Sequence, residues 1–132
     1  MLYQICLSLE YLHSLQIAHR DIKLENILTQ KFSENPEIET IIKISDFGLS
    51  APMLDGEFLD ESVGSLHYAA PEIVKGEPYN GTEIDAWSCG VVLYTLVCQT
   101  FPFSSKNSNQ LAKRIIKGKF NVDAICTMSP EL

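Results

Sequence analysis

The sequence has no long apolar run, no excess of positive charge and no metal-type cysteine spacing, and each absence removes a class of function. The longest apolar stretch, Ala86 to Val97, is interrupted by Ser88, Cys89 and Thr95. It falls well short of the ~20 apolar residues that a helical bilayer crossing needs. The N-terminal MLYQICLSLEYLHS has no positive leader before its apolar residues and no small-residue cleavage pattern after them, so it does not read as a secretory signal. Ten Lys and Arg stand against seventeen Asp and Glu, a formal charge of -7. Such a chain repels nucleic-acid phosphates and anionic membrane surfaces and favours basic partners. Cys6, Cys89, Cys98 and Cys126 form no CxxC or Cys/His spacing. They read as buried reduced thiols rather than a disulfide framework or zinc site, which implies a cytosolic or nuclear setting. No internal repeat or low-complexity tract occurs. What is present is a chain of 132 residues, 45% hydrophobic and 20% charged, enough for about one globular domain and too apolar for a disordered segment.

Leu2, Ile5, Leu9 and Leu12 recur at helical spacing and predict an amphipathic helix over residues 2 to about 15. It opens without Ser, Thr, Asp or Asn to satisfy its free N–H groups, an expectation of a chain cut from something longer. QIAHRDIKLENIL then reads as a loop ending in a short strand at Asn26 to Leu28. After the polar TQKFSENPEIE, Ile41, Ile42 and Ile44 predict a second strand, and the two would pair as a small hairpin. Leu49 to His67 reads as one long loop, a length that usually marks function. Pro71 to Lys75 reads as a single helical turn. Thr82 or Glu83 opens a helix from Ile84 to about Cys98, apolar on nearly every face as a central buried helix would be. Gln110 to Lys117 predicts one more amphipathic helix.

Three strings carry the chemistry: His19-Arg20-Asp21 with Asn26 five residues after the Asp, Asp46-Phe47-Gly48 opening the long loop, and Ala70-Pro71-Glu72 closing it. Taken singly, Asp21 reads as well as an Asx turn, His19 as a core histidine, and Asp46-Phe47-Gly48 as a turn after a strand. Together and in this order they match the H-R-D-x-x-x-x-N, D-F-G and A-P-E set of protein kinases. The sequence resembles that family over nearly its whole length.

The resemblance implies a mainly α, protein-kinase-like C-lobe with a small β-hairpin. Residues 1–132 would be a partial kinase domain with the catalytic loop at 19–26, the activation segment at 46–72 and the central helix at about 84–98. Phosphoryl transfer asks for an acceptor hydroxyl held in line and for metal ions that neutralise phosphate charge. By resemblance, Asp21 orients the substrate hydroxyl and accepts its proton, and Asn26 and Asp46 hold Mg2+ through oxygen ligands. Lys23 contacts the transferred phosphate and points to Ser/Thr acceptors, Ser65 hydrogen-bonds near Asp21 and Lys23, and Leu28 lies beneath the adenine ring. The implied cofactors are ATP and Mg2+, and the implied partners are protein substrates. Asp85 is expected to bond backbone near His19-Arg20-Asp21, and Phe47 and His19 to stack.

Within the family, SDFGLS, DGEFL and the segment Gly64 to Glu72 resemble the AMP-activated/sucrose-nonfermenting branch of the calmodulin-dependent kinase group, with Leu66 where that branch usually has Pro. Glu61 falls four residues before Ser65, where the branch usually carries a phosphorylated threonine. Two readings stay open: Glu61, helped by Asp60, partly replaces the phosphate and pairs with Arg20, or Asp60-Glu61 is a solvated acidic pair. Glu25 lies where many basophilic kinases read an arginine before the acceptor. The chain contains no G-x-G-x-x-G, no V-A-I-K lysine and no helix-borne glutamate partner for it, so the N-lobe is expected to be absent. The last C-lobe helices, with the arginine that pairs Glu72, are likewise expected to be absent. Two function classes follow: an inactive piece of a Ser/Thr kinase whose complete parent is the enzyme, or a non-catalytic C-lobe remnant acting as a protein-binding module.

Overall fold

The computed structural model describes residues 1–31, 40–54 and 57–120. The chain runs α1 (Leu2–Ser14), β1 (Ile17–Ala18), a 3-10 turn (Leu24–Asn26), β2 (Ile27–Gln30), β3 (Ile41–Ile44), β4 (Ala51–Pro52), α2 (Pro71–Lys75), α3 (Gly81–Cys98) and α4 (Ser108–Ile116). Cys126, most of the polar stretch before β3, and Asp55-Gly56 of DGEFL lie outside the described residues.

The apolar spacing of α1 buries Ile5 and Leu9 against Ile42 of β3 and Cys89, Val91 and Val92 of α3, with Ile22 and Tyr68 completing the core. Gln4 fixes α1 to β3: its amide nitrogen donates to the Thr40 carbonyl (3.1 Å) and its oxygen accepts from Ile42 N (2.9 Å). The expected hairpin forms as an antiparallel pair with Ile27 opposite Ile44 and Thr29 opposite Ile42. These four residues share one face, because successive strand residues alternate sides; Ile27, Ile42 and Ile44 turn inward on it and Thr29 lies at its exposed end. The first strand starts at Ile27 rather than Asn26, since Asn26 N closes the 3-10 turn on the Lys23 carbonyl (3.0 Å).

The long loop is less free than its composition predicts. Its start pairs as β4 with β1, Ala51 opposite Ala18, and Met53 N extends that pairing to the Gln16 carbonyl (2.7 Å). Further on, Leu59 and Tyr79 exchange backbone bonds of 3.0 and 2.8 Å. Two-residue strands have no readable period, which is why the sequence concealed them.

Helix α3 opens at Gly81, not at Thr82 or Glu83. Asn80 is its cap, accepting from Thr82 N (2.9 Å). A Cβ at Gly81 would collide with the Ala18 side chain and with Met53, so glycine in the first turn lets α3 press against β1. The expectation of burial on every face also needs correcting. Glu83, Ala86, Gly90, Leu93 and Val97 are exposed along one stripe of α3. Apolarity shows which faces tolerate burial, whereas the neighbouring elements decide which are covered. On another face, Trp87 stacks on Phe103 at 5.8 Å, and its buried indole N–H has no acceptor among the described residues. Helix α4 begins two residues before the expected Gln110, capped by Asn107, and buries Leu111 and Ile115 with Phe103.

Cys6, Cys89 and Cys98 are all reduced, but only Cys89 is buried and Cys6 is exposed. Cys6 follows the fully buried Ile5 and lies on the edge of the buried stripe of α1. Among the described residues no helix is long and apolar enough to cross a membrane.

Candidate active site

The site is built on one buried carboxylate. Asp85, 1% exposed in the first turns of α3, accepts from the backbone N–H groups of His19 and Arg20, each at 2.8 Å, and from His13 Nε2 at 2.8 Å. Those bonds hold Arg20 at a positive φ of 68°, a left-handed conformation that costs a non-glycine residue about 1–3 kcal/mol. The resulting sharp reversal delivers Asp21 into the space between the strands and the 49–67 segment.

There Asp21 meets the residues that the motifs singled out. Lys23 Nζ donates to Asp21 Oδ2 at 2.5 Å and to Ser65 Oγ at 3.3 Å, and Ser65 Oγ donates to Asp21 Oδ1 at 3.2 Å. Asn26 Nδ2 donates to the Asp21 carbonyl (2.9 Å) and to Oδ2 (3.3 Å). The hydrogen bond to Asp21 is the main reason that the Lys23 ammonium titrates above the ordinary lysine range, with the charges of Asp21, Glu25 and Asp46 assisting. Lys23 therefore stays cationic throughout the physiological range. Asp21 and Asn26 are buried, and Lys23 and Ser65 are half-buried.

Asp46 is brought alongside by the hairpin. Ser45 donates to the Asn26 carbonyl through both its N–H (2.9 Å) and its hydroxyl (3.1 Å), so the residue after it emerges next to the 19–26 segment. Asp46 also has positive φ, 65°, and its Oδ1 accepts from Gly48 N (3.2 Å). Phe47 packs edge-on to His19 with centroids 5.0 Å apart, and His19 Nε2 donates to the Ser45 carbonyl (3.2 Å). Leu28 is half-exposed on the outer face of the hairpin, opposite Lys43. It stands apart from the buried cluster, although it follows Asn26 by two residues.

A second cluster forms around Arg20. Its Nε donates to the Leu49 carbonyl (2.6 Å) and its Nη1 to Glu61 Oε2 (3.0 Å) and to Tyr79 Oη (3.1 Å). The Tyr79 hydroxyl in turn donates to the Glu61 carbonyl (2.9 Å). Burial opposes the guanidinium charge, but the bonds to Tyr79 and Glu61 outweigh it and raise the Arg20 pKa. Gly64 closes the approach of this segment. It has φ of 92°, and a Cβ there would lie 2.7 Å from the Arg20 carbonyl oxygen. Asp60 is exposed, and among the described residues it makes no ion pair.

Three positioning residues escaped the sequence reading: His13 against Asp85, Ser45 between hairpin and loop, and Tyr79 between Arg20 and Glu61. Only Ser45 had a local signal, as the residue before the Asp-Phe-Gly string. Glu25 is exposed and accepts from the Tyr68 hydroxyl (3.4 Å). Glu72 is half-buried and pairs with no cation among the described residues.

The family model described as "Protein kinase domain" matches residues 1–131. The chain belongs to the protein kinase family. Among similar kinases, the carbon catabolite-derepressing protein kinase of Secale cereale is 47% identical over 118 residues, covering 89% of this chain and 22% of the relative. Serine/threonine protein kinase OSK3 of Oryza sativa subsp. indica is 45% identical over 120 residues, 90% of this chain and 22% of the relative. Protein kinase domain-containing protein ppk9 of Schizosaccharomyces pombe is 40% identical over 126 residues, 96% and 22% respectively. These likenesses place the kinase chain with the Ser/Thr kinases of the AMP-activated/sucrose-nonfermenting branch, and it spans 22% of the length of each of these relatives.

Proposed function

We propose that residues 1–132 are the C-lobe part of a Ser/Thr protein-kinase domain whose complete parent transfers the γ-phosphate of ATP to Ser or Thr hydroxyls of proteins. The observation that carries this is the convergence of Lys23, Asn26 and Ser65 on the Asp21 carboxylate, with Asp46 delivered beside them by the hairpin. A hydroxyl hydrogen-bonded to Asp21 would be oriented by it and would give it the proton as the oxygen attacks phosphorus in line. Lys23, kept charged by Asp21, would meet the transferred phosphate, and Ser65 would hold the Asp21–Lys23 pair in register. Leu28 would offer its exposed side chain to the adenine face.

The residues fit a magnesium ion. Mg2+ favours oxygen ligands and is usually held by one or two carboxylates together with waters and phosphates. Asn26 uses its amide N–H group on Asp21 and keeps its carbonyl oxygen, and Asp46 supplies a carboxylate. Among the described residues no group of three or more His, Cys, Asp and Glu could hold a metal ion. When bound, Mg2+ supplies charge neutralisation on the phosphates. The reduced thiols and acidic composition support, within the same proposal, a cytosolic or nuclear enzyme that acts on basic protein substrates, with no nucleic-acid or membrane partner.

The test compares the complete parent with the 132-residue polypeptide on a basic Ser/Thr peptide and radiolabelled ATP. The parent is expected to transfer phosphate and the isolated polypeptide to transfer none, because these 132 residues hold no glycine-rich string or V-A-I-K lysine to cover the phosphates and exclude water. Transfer by the polypeptide alone would overturn the half-site part of the reading. A silent parent would favour the non-catalytic binding module.

Glu61 belongs to the same proposal as a built-in substitute for an activating phosphate. With Arg20 and Tyr79 it joins three segments, although it offers one charge where a phosphate offers about 1.5 to 2. The Arg20 side chain is 7% exposed and that of Glu61 67%, so the pair is partly screened and worth about 0.2–1 kcal/mol. Glu61→Ala in the parent is therefore expected to lower activity by up to about fivefold. Unchanged activity would leave Asp60-Glu61 as a solvated acidic pair.

A further inference from the structure

Helices α1 and α3 pack side by side and run in opposite directions. His13 near the end of α1 bonds to Asp85 near the start of α3, and Cys6 near the start of α1 lines the same groove as Cys89, one turn beyond Asp85. Cys89 is 7% exposed and packs in the core with Leu9, whereas Cys6 faces solvent. Both thiols line a groove of about 590 Å3 between the helices, which has apolar walls of Leu2 and Leu93 and carries Glu10 and Glu83. The kinase chemistry uses neither thiol.

We propose that Cys6 and Cys89 close to a reversible disulfide under hydroperoxide, making the α1–α3 seam an oxidative modification site. Cys6, open to solvent, attacks the peroxide; the O–O bond breaks, Cys6 becomes a sulfenic acid, and water or an alcohol departs. The Cys89 sulfur then attacks the Cys6 sulfur, the S–O bond breaks, and hydroxide leaves as water with the Cys89 proton. The two thiols have each given up one electron, and the peroxide has taken both. A dithiol reductant reverses the bond by exchange.

The surroundings set the order of events. Burial pushes the Cys89 thiol up to about 11, with Cys6 and Asp85 adding to the shift, so Cys89 stays protonated and the first oxidation falls on Cys6. Glu10 and Glu83 disfavour an anionic thiol such as glutathione as the competing partner, whereas an uncharged hydroperoxide meets no such barrier. Cys98 has the Tyr94 hydroxyl as its partner and lies nine residues, more than two turns, beyond Cys89 on α3.

The purified chain is treated with hydrogen peroxide at neutral pH, blocked with iodoacetamide, digested without reductant and mapped by mass spectrometry. Expected is the loss of two of the four alkylatable cysteines, a Cys6–Cys89 linked peptide as the main product, and recovery of both thiols with dithiothreitol. In Cys89→Ser the same treatment is expected to leave Cys6 as a sulfenic acid that dimedone traps. Irreversible Cys6 oxidation with Cys89 still reduced would overturn the proposal, as would linkages spread evenly over all four cysteines. Neither result depends on phosphoryl transfer, so the proposal fails or stands apart from the kinase reading.

Discussion

Asp21→Asn in the complete parent is expected to lower phosphoryl transfer by about 10²- to 10⁴-fold, the usual worth of a general base. The amide keeps one acceptor oxygen for Lys23 and Asn26, and its NH2 group can donate to Ser65 Oγ where the carboxylate accepted from it, so the cluster largely keeps its shape, but it cannot take the proton of an acceptor hydroxyl. The loss should therefore fall on kcat, with KM for the peptide little changed. Thermal unfolding should shift only slightly, because Lys23 is partly solvated and its pairing contributes on the order of 1 kcal/mol or less. Steady-state kinetics on the variant decides the matter. A loss smaller than about tenfold would remove Asp21 from the role of base.

The largest effect on stability is expected at Asp85. Asp85→Ala strips the acceptor from two backbone N–H groups and from His13 at once, in a site that water does not reach. Each buried donor left unsatisfied costs about 1–3 kcal/mol, so a total of about 3–5 kcal/mol is expected in urea unfolding. Arg20 would also lose the bonds that hold it at positive φ, and the reversal that delivers Asp21 would relax with it. Asp85→Asn keeps one acceptor oxygen and should fall between the two. An Asp85→Ala variant as stable as the wild type would mean that the 19–26 segment is held by something else.

The legible parts of this chain were those with either strong periodicity or a string of residues bound to one chemistry. Helix α1 and the β2–β3 pair follow from the spacing of Leu and Ile. The convergence of Asp21, Asn26 and Asp46 follows from strings that match the kinase pattern, and the pairing of Ser45 with Asn26 is its physical cause. Less legible was everything decided by a distant partner. Tyr79 acts on Arg20 across 59 positions and has no motif of its own. β1 and β4 are too short to show alternation, and the cap at Asn80 was masked by a turn-rich segment. The exposed stripe of α3 and the exposed Cys6 were misjudged for one reason. Composition reports what a side chain prefers, while coverage depends on which elements stand opposite.

Trp87 is the sole tryptophan of the chain, and its stacking on Phe103 joins α3 to the segment that leads into α4. A half-buried indole whose N–H is buried and lacks an acceptor among the described residues should shift its emission to the red once that seam opens. The chain thus carries its own fluorescent probe, stacked on Phe103 and outside the hydrogen bonds of Asp21. Local loosening of the α3–α4 seam can be followed optically, without a label and without disturbing Asp21 or Asp85.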